Sequence, residues 1–160
     1  ASVFLKKLSD IMRVILYDTQ EERIPLSLEL EYIGKYIDLQ NIRAANEEFV
    51  TYEVLGETDK LSVAPMLFIP FIENAFKHST NKKIKEAIII RIEAARENEM
   101  IFSCKNVINA EKPLPTRNSG LGIELIRQRL QLLYPDKHTL AIHQSPETFE
   151  VDLTINLNAD

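Results

Sequence analysis

Four polar residues end an otherwise apolar stretch. In Ala64-Pro-Met-Leu-Phe-Ile-Pro-Phe-Ile-Glu-Asn-Ala-Phe-Lys-His78, the residues Glu73, Asn74, Lys77 and His78 follow a nearly unbroken run of hydrophobic side chains. Asn74 and His78 are four residues apart, so on a helix they share a face. Glu73 and Lys77 have the same spacing, and the plainer account of that pair is a surface ion pair at a polar helix end. Asn74 is harder to dismiss, because an amide set among Ile72, Ala75 and Phe76 needs partners. A hydrated magnesium ion is one such partner, since it takes few protein oxygens and keeps several waters.

The second chemically suggestive segment is Asn118-Ser-Gly-Leu-Gly-Ile-Glu-Leu-Ile-Arg-Gln-Arg-Leu130, in which Gly120 and Gly122 open an amphipathic helix. Glycines there let backbone N–H groups and the helix dipole face an anion such as phosphate. The pattern lacks the third glycine and the preceding strand of a dinucleotide fingerprint. A bare Gly-x-Gly is often only a turn and a cap, but the chain has only 4 glycines and places two of them here.

These segments need a scaffold to bring them together. Leu5, Leu8, Met12 and Ile15 recur at helical spacing between Phe4 and Leu16. A polar run from Asp18 to Arg23 and then Pro25 interrupt that helix, and a second one follows with Ser27 as its expected N-cap and Leu30, Ile33 and Ile37 along one face. The pair predicts an antiparallel helical hairpin. After Asn46 the period becomes two: Val50, Tyr52 and Val54, then Ile88, Ile90 and Ile92, then Met100, Phe102 and Cys104, then Leu140 and Ile142, and finally Phe149 to Leu157. The short polar link Ala95 to Glu99 predicts a hairpin between the second and third strands. Helices are expected over about Ala64 to His78 and Leu121 to Tyr134, with a surface loop over Val107 to Ser119 between them. The expected fold class is α+β: a two-layer α/β sandwich with a mixed, mostly antiparallel sheet covered on one face by helices, preceded by the N-terminal helical hairpin. The expected division is residues 1–46 for the helical part and 47–160 for the sandwich.

Composition excludes several functions. A net charge of −5 with pI near 5.3 lacks the basic footprint of a nucleic-acid binder. The single cysteine, Cys104, cannot form an internal disulfide and reads as a buried thiol in a strand. No run reaches the roughly 18 apolar residues of a membrane span. The chain opens in mid-pattern without an initiator Met, which leads us to expect a fragment whose upstream part is elsewhere.

Taken in order, these segments resemble the ATP-binding domains shared by gyrases, heat-shock protein 90, MutL mismatch-repair proteins and histidine kinases, the GHKL superfamily with the Bergerat fold. Within it the chain is similar to the LytS/YehU-type sensor histidine kinases. Ile24 to Arg43 resembles their phrase ahead of the nucleotide domain, Pro65 to His78 their asparagine box, and Gly120 to Tyr134 their glycine box. The likeness spans nearly the whole chain, and three motifs in the right order are more specific than any one of them.

The resemblance implies ATP and Mg2+ as cofactors. Asn74 would hold the magnesium that bridges the phosphates, Lys77 would neutralise phosphate charge, His78 would line the same pocket, and Gly120 and Gly122 would let a lid fold over the phosphates. Glu73 belongs to the family phrase and joins Lys77 as a catalytic candidate. Arg127 and Arg129 are both candidates to reach phosphate, with at least one of them expected to be only a solvated charge, and Arg127 is the one assigned. The resemblance also implies a homodimer formed through the helical region, a response regulator as phosphoryl recipient, and a cytoplasmic portion of a bacterial inner-membrane sensor protein, with the membrane reached only through an upstream part.

Three departures matter. The family's adenine-binding Asp and the Gly two residues later are replaced by Asn106 and Ile108, leaving a neutral and weaker acceptor, and Leu125 stands where an Asn is usual. In the hydrolysing members a general-base Glu precedes the box asparagine by one helical turn, where this chain has Pro70. Proline cannot activate water, which favours a kinase whose histidine nucleophile arrives on another segment. The phosphoacceptor motif itself is absent, since none of His78, His138 and His143 matches it. The expectation is therefore an ATP-binding kinase domain that does not autophosphorylate on its own residues. The alternative is a degenerate nucleotide domain serving as a docking module.

Overall fold

The computed structural model describes residues 22–79, 81–108 and 119–157, and of 119–121 the backbone course alone. The helix expected over Phe4 to Leu16 and most of the expected loop ahead of Ser119 lie outside these residues.

Alternation builds the sheet. In β4 (Ile88–Ala94) the side chains of Ile88, Ile90 and Ile92 are fully buried while Arg91 between them is exposed. Strand β5 (Glu99–Val107) returns antiparallel beside it, with Ile90 opposite Cys104 and Ile92 opposite Phe102, as the short link predicted. That link turns through Glu97 and Asn98, both in the left-handed region at φ 58° and 64°. Strand β7 (Thr148–Asn156) pairs antiparallel with β5, and β6 (His138–Gln144) with β7. Strand β2 (Val50–Leu55) lies parallel to β4, giving the order β2-β4-β5-β7-β6. A minor antiparallel pair joins β1 (Ile24–Pro25) to β3 (Ser62–Val63).

Helix α1 (Leu26–Ala44) starts directly after Pro25, which fixes φ at −54° at the N-cap, so Ser27 is inside the helix and not its cap. Leu26, Tyr32, Ile33 and Ile37 of α1 join the same buried cluster as the sheet residues. This face of α1 is thus packed into the same core as the sheet. Helix α2 (Ile69–His78) is shorter than its apolar run, because Met66 adopts a left-handed φ of 61° and the chain enters the helix only with Pro70 in its first turn. Helix α3 (Ser119–Leu133) follows the glycine motif as expected.

The core fixes α2 on the sheet. The Phe102 ring of β5 stacks on Phe68 at 4.9 Å and meets Phe71 at 5.7 Å. Ile126 and Leu130 of α3 are buried in the same cluster. Cys104 is buried beneath these elements, and burial pushes its thiol up to about 12. Because the thiolate is the reactive form, a thiol reagent at neutral pH should leave Cys104 unmodified in the folded chain and label it promptly in denaturant. Rapid labelling of the native protein would contradict this placement.

Candidate functional site

Pro70, Glu73, Asn74 and Lys77 recur at spacings of three and four, which places them along one side of α2. Facing them across a cleft of about 190 Å³ are Gly122, Ile123 and Ile126 of α3. The two segments singled out by their chemistry thus form the two walls of one site. Glu73 and Lys77 also border a second hollow of about 400 Å³ with Tyr36, Arg43, Phe76 and Lys82 on the other flank of α2.

The polar groups of the cleft are disposed toward a ligand. Among the described residues, no ion pair within 4 Å joins Glu73 to Lys77, so the surface pair anticipated from their spacing does not form. The Asn74 amide is half-buried and has no hydrogen-bond partner among the described residues. A Cβ built on Gly122 would meet nothing within 4 Å, so packing does not demand glycine there. Glycine in a helix costs about 1 kcal/mol relative to alanine, and what it provides here is an unobstructed wall. A neutral amide oxygen, a free ammonium and open backbone fit a magnesium–polyphosphate. They are too few for an all-protein metal cage, and the described residues contain no cluster of three His, Cys, Asp or Glu side chains.

The other expected residues stand apart from this lining. Asn106 is 1 % exposed on the buried side of β5, where its amide nitrogen donates weakly to the Val107 carbonyl at 3.4 Å. His78 follows Lys77 at the end of α2 with its Nε2 buried and unpartnered. Burial first, then the charge of Lys77, holds its imidazole below the ordinary histidine range. Gly120 lies in the first turn of α3. Arg127 is exposed and does not line the cleft.

Arg129 is neither in the cleft lining nor a solvated charge. Its guanidinium donates to the Met66 carbonyl at 2.8 Å and to the Pro65 carbonyl. Two further residues grip the same strip of backbone. Glu29 of α1, fully buried, accepts the Met66 N–H at 3.1 Å, and Tyr134 just beyond α3 accepts the Ala64 N–H at 2.9 Å. Burial raises the Glu29 carboxyl above the ordinary carboxylate range, opposed by the N–H groups of Met66, Leu67 and Phe68 and by the charge of Arg129. Its Oε1 nevertheless has no partner within hydrogen-bond geometry. Glu29 had a detectable signal: it falls on the stripe Leu26, Glu29, Ile33, where helical periodicity calls for an apolar side chain.

Comparison with known proteins adds to this geometry. Residues 1–48 match the family described as Histidine kinase. The chain is 32 % identical over 130 residues to the sensor protein kinase HptS of Staphylococcus aureus (strain USA300), covering 81 % of the chain but only 23 % of that protein. Its fold is similar to the histidine kinase domain from the Erythrobacter litoralis EL346 blue-light activated histidine kinase, with a TM-score of 0.57, 12 % identity, and coverage of 96 % of this chain and 79 % of that one. It is similar as well to full-length ShkA solved in complex with AMPPNP, with a TM-score of 0.58, 14 % identity, and coverage of 99 % and 36 %.

Proposed function

Because the chain belongs to the sensor histidine kinases, as their C-terminal catalytic part, we propose that it binds magnesium–ATP between α2 and α3 and presents the γ-phosphoryl group to a histidine on another segment. The observation that carries this reading is the convergence of Asn74 and Lys77 on the side-chain-free wall at Gly122. The AMPPNP complex of ShkA supports an adenine nucleotide as the ligand class.

In this site the protein positions and neutralises; it supplies no covalent chemistry. The Asn74 oxygen would serve as a magnesium ligand, and the ion would offset the charge on the phosphate oxygens. Lys77 adds a second positive charge from the last turn of α2. The backbone at Gly122 would let the phosphates approach closely, and Gly120 would do the same two residues earlier. Pro70, in the first turn of α2 and on the cleft lining, offers no base for water. Transfer then requires an incoming imidazole nitrogen: its bond to the γ-phosphorus forms as the bond to the β–γ bridging oxygen breaks, ADP departs and the ring proton passes to solvent. The same reading gives Asn106 the adenine amino group, His78 a place in the lining of the same pocket, Arg127 a phosphate contact and Glu73 a supporting role beside Asn74.

The chain spans about a quarter of the curated relative, 23 % of its length, so the whole-protein roles belong to the proposal. They are homodimerisation through the N-terminal part expected to be helical, residues 1–46, phosphoryl delivery to a response regulator, and attachment to a membrane sensor. Among the described residues, no helix is long and apolar enough to cross a membrane.

Calorimetric titration with AMPPNP tests the reading. The expected result is binding at one site per chain that disappears when EDTA removes magnesium. An absence of heat at millimolar nucleotide would reject it in favour of the docking module.

A further inference from the structure

We infer that Glu29, Arg129 and Tyr134 are positioning residues that lock the asparagine-box helix α2 to the glycine-box helix α3, so that the two walls of the cleft are held as one body. The inference builds on the nucleotide reading of that cleft.

The need for such a lock arises at the start of α2. A helix N-terminus leaves backbone N–H groups without partners, and the N-cap here is Phe68, which has no side-chain oxygen to offer them. Glu29 reaches from another helix to the turn that leads into α2, receiving the Met66 N–H at 3.1 Å, with the Leu67 and Phe68 N–H groups also favouring its charged form. A carboxylate with no solvent exposure is costly to bury unless it is held in this way.

The same peptide is gripped from the opposite side. Met66 stands at φ 61°, a conformation unfavourable for a side-chain-bearing residue. Its N–H is held by Glu29 of α1 and its C=O by Arg129 of α3. The second fork of Arg129 reaches the Pro65 carbonyl, and the Tyr134 hydroxyl takes the Ala64 N–H. Among the described residues, no ion pair within 4 Å joins Glu29 to Arg129; both instead hold backbone groups of the Pro65–Met66 segment. Arg129 lies one helical turn beyond Ile126, and Met66 four residues ahead of Pro70; Ile126 and Pro70 both line the cleft. A displacement of α3 relative to α2 therefore breaks the clamp, and loss of the clamp frees that displacement.

The test measures AMPPNP affinity with magnesium for Arg129→Lys and Glu29→Ala at a temperature where circular dichroism shows each variant folded. Lysine retains the charge but not the two-pronged fork, so it should fail to rescue: both variants should bind about tenfold more weakly, the equivalent of losing one charge-assisted hydrogen bond. Glu29→Gln, which keeps an acceptor oxygen, should recover most of the affinity. A purely structural role would lower the unfolding midpoint and leave the affinity of the folded protein unchanged, and affinities within about twofold of wild type would overturn the inference. Should either variant fail to fold, Tyr134→Phe, which removes only the hydroxyl, must still weaken binding. If the unaltered chain binds no AMPPNP, the nucleotide reading fails, and amide exchange then judges the clamp alone. Faster exchange in Arg129→Lys confined to Met66, Leu67 and Phe68 supports it, and acceleration spread equally to β4 rejects it.

Discussion

Replacing Asn74 with alanine should lower the affinity for magnesium–AMPPNP by about ten- to a hundredfold while leaving the chain as stable as before. The magnitude follows from removing one hydrogen-bonding or ligating group that faces charge, worth about 1.5–3 kcal/mol. The unchanged stability follows from the structure, because the Asn74 amide has no hydrogen-bond partner among the described residues and alanine is the better helix former. The two readouts together are discriminating. A structural asparagine would give the reverse pattern, with lost stability and retained binding. Asn74→Asp sharpens the comparison, since a carboxylate suits magnesium and repels phosphate: its affinity should fall with magnesium present and vanish without it. Binding by Asn74→Ala indistinguishable from that of the unaltered chain would remove Asn74 from the site.

Phe102→Ala should cost about 3–5 kcal/mol of folding stability, the usual range for emptying a buried phenylalanine site. Phe102 is fully buried in β5, and its ring is the surface on which Phe68 and Phe71 of the asparagine-box segment lie. A small domain has roughly 5–15 kcal/mol in total, so the variant sits near the edge of folding. Urea denaturation of the unaltered and substituted chains measures the difference. Phe102→Leu, which refills much of the volume, should recover at least half of it. A loss below about 1 kcal/mol for the alanine would mean that α2 is not seated on this ring.

Much of the sheet was legible because its signal is local. Ile88, Ile90 and Ile92 alternate with polar or exposed neighbours, and so do Met100, Phe102 and Cys104, so period and facing direction follow from neighbours in the chain. The site was legible for a related reason: Asn74 and Lys77 are polar residues where the helical pattern asks for none, and Gly122 is a costly residue with no packing duty.

What failed to show was set by residues far apart in sequence. The apolar run from Ala64 reads as helix from its start, yet Met66 is turned by partners on α1 and α3 that lie 37 and 63 residues away. The same distance hides the role of Arg129, which by composition alone is one more charge on an amphipathic helix. An amphipathic stripe states that the helix over residues 26–44 has a partner and not which one; its packing on the sheet was not legible, and the other helix of the expected hairpin lies outside the described residues. His78 and Asn106 have suitable chemistry, but the cleft lining among the described residues does not include them.

The parallel pairing of β2 with β4 bears on how the protein acquires its activity. Val50 meets Ile88 only when the whole intervening segment closes back on itself, and that segment contains α2. Parallel neighbours require such a crossover, and contacts between residues so distant in the chain form slowly because the entropy of closure comes first. The helix that carries Asn74 and Lys77 therefore cannot be delivered early by local folding. It reaches its place in the same event that completes the sheet edge, so on the proposed reading a nascent or partly folded chain should not bind nucleotide until the topology is finished.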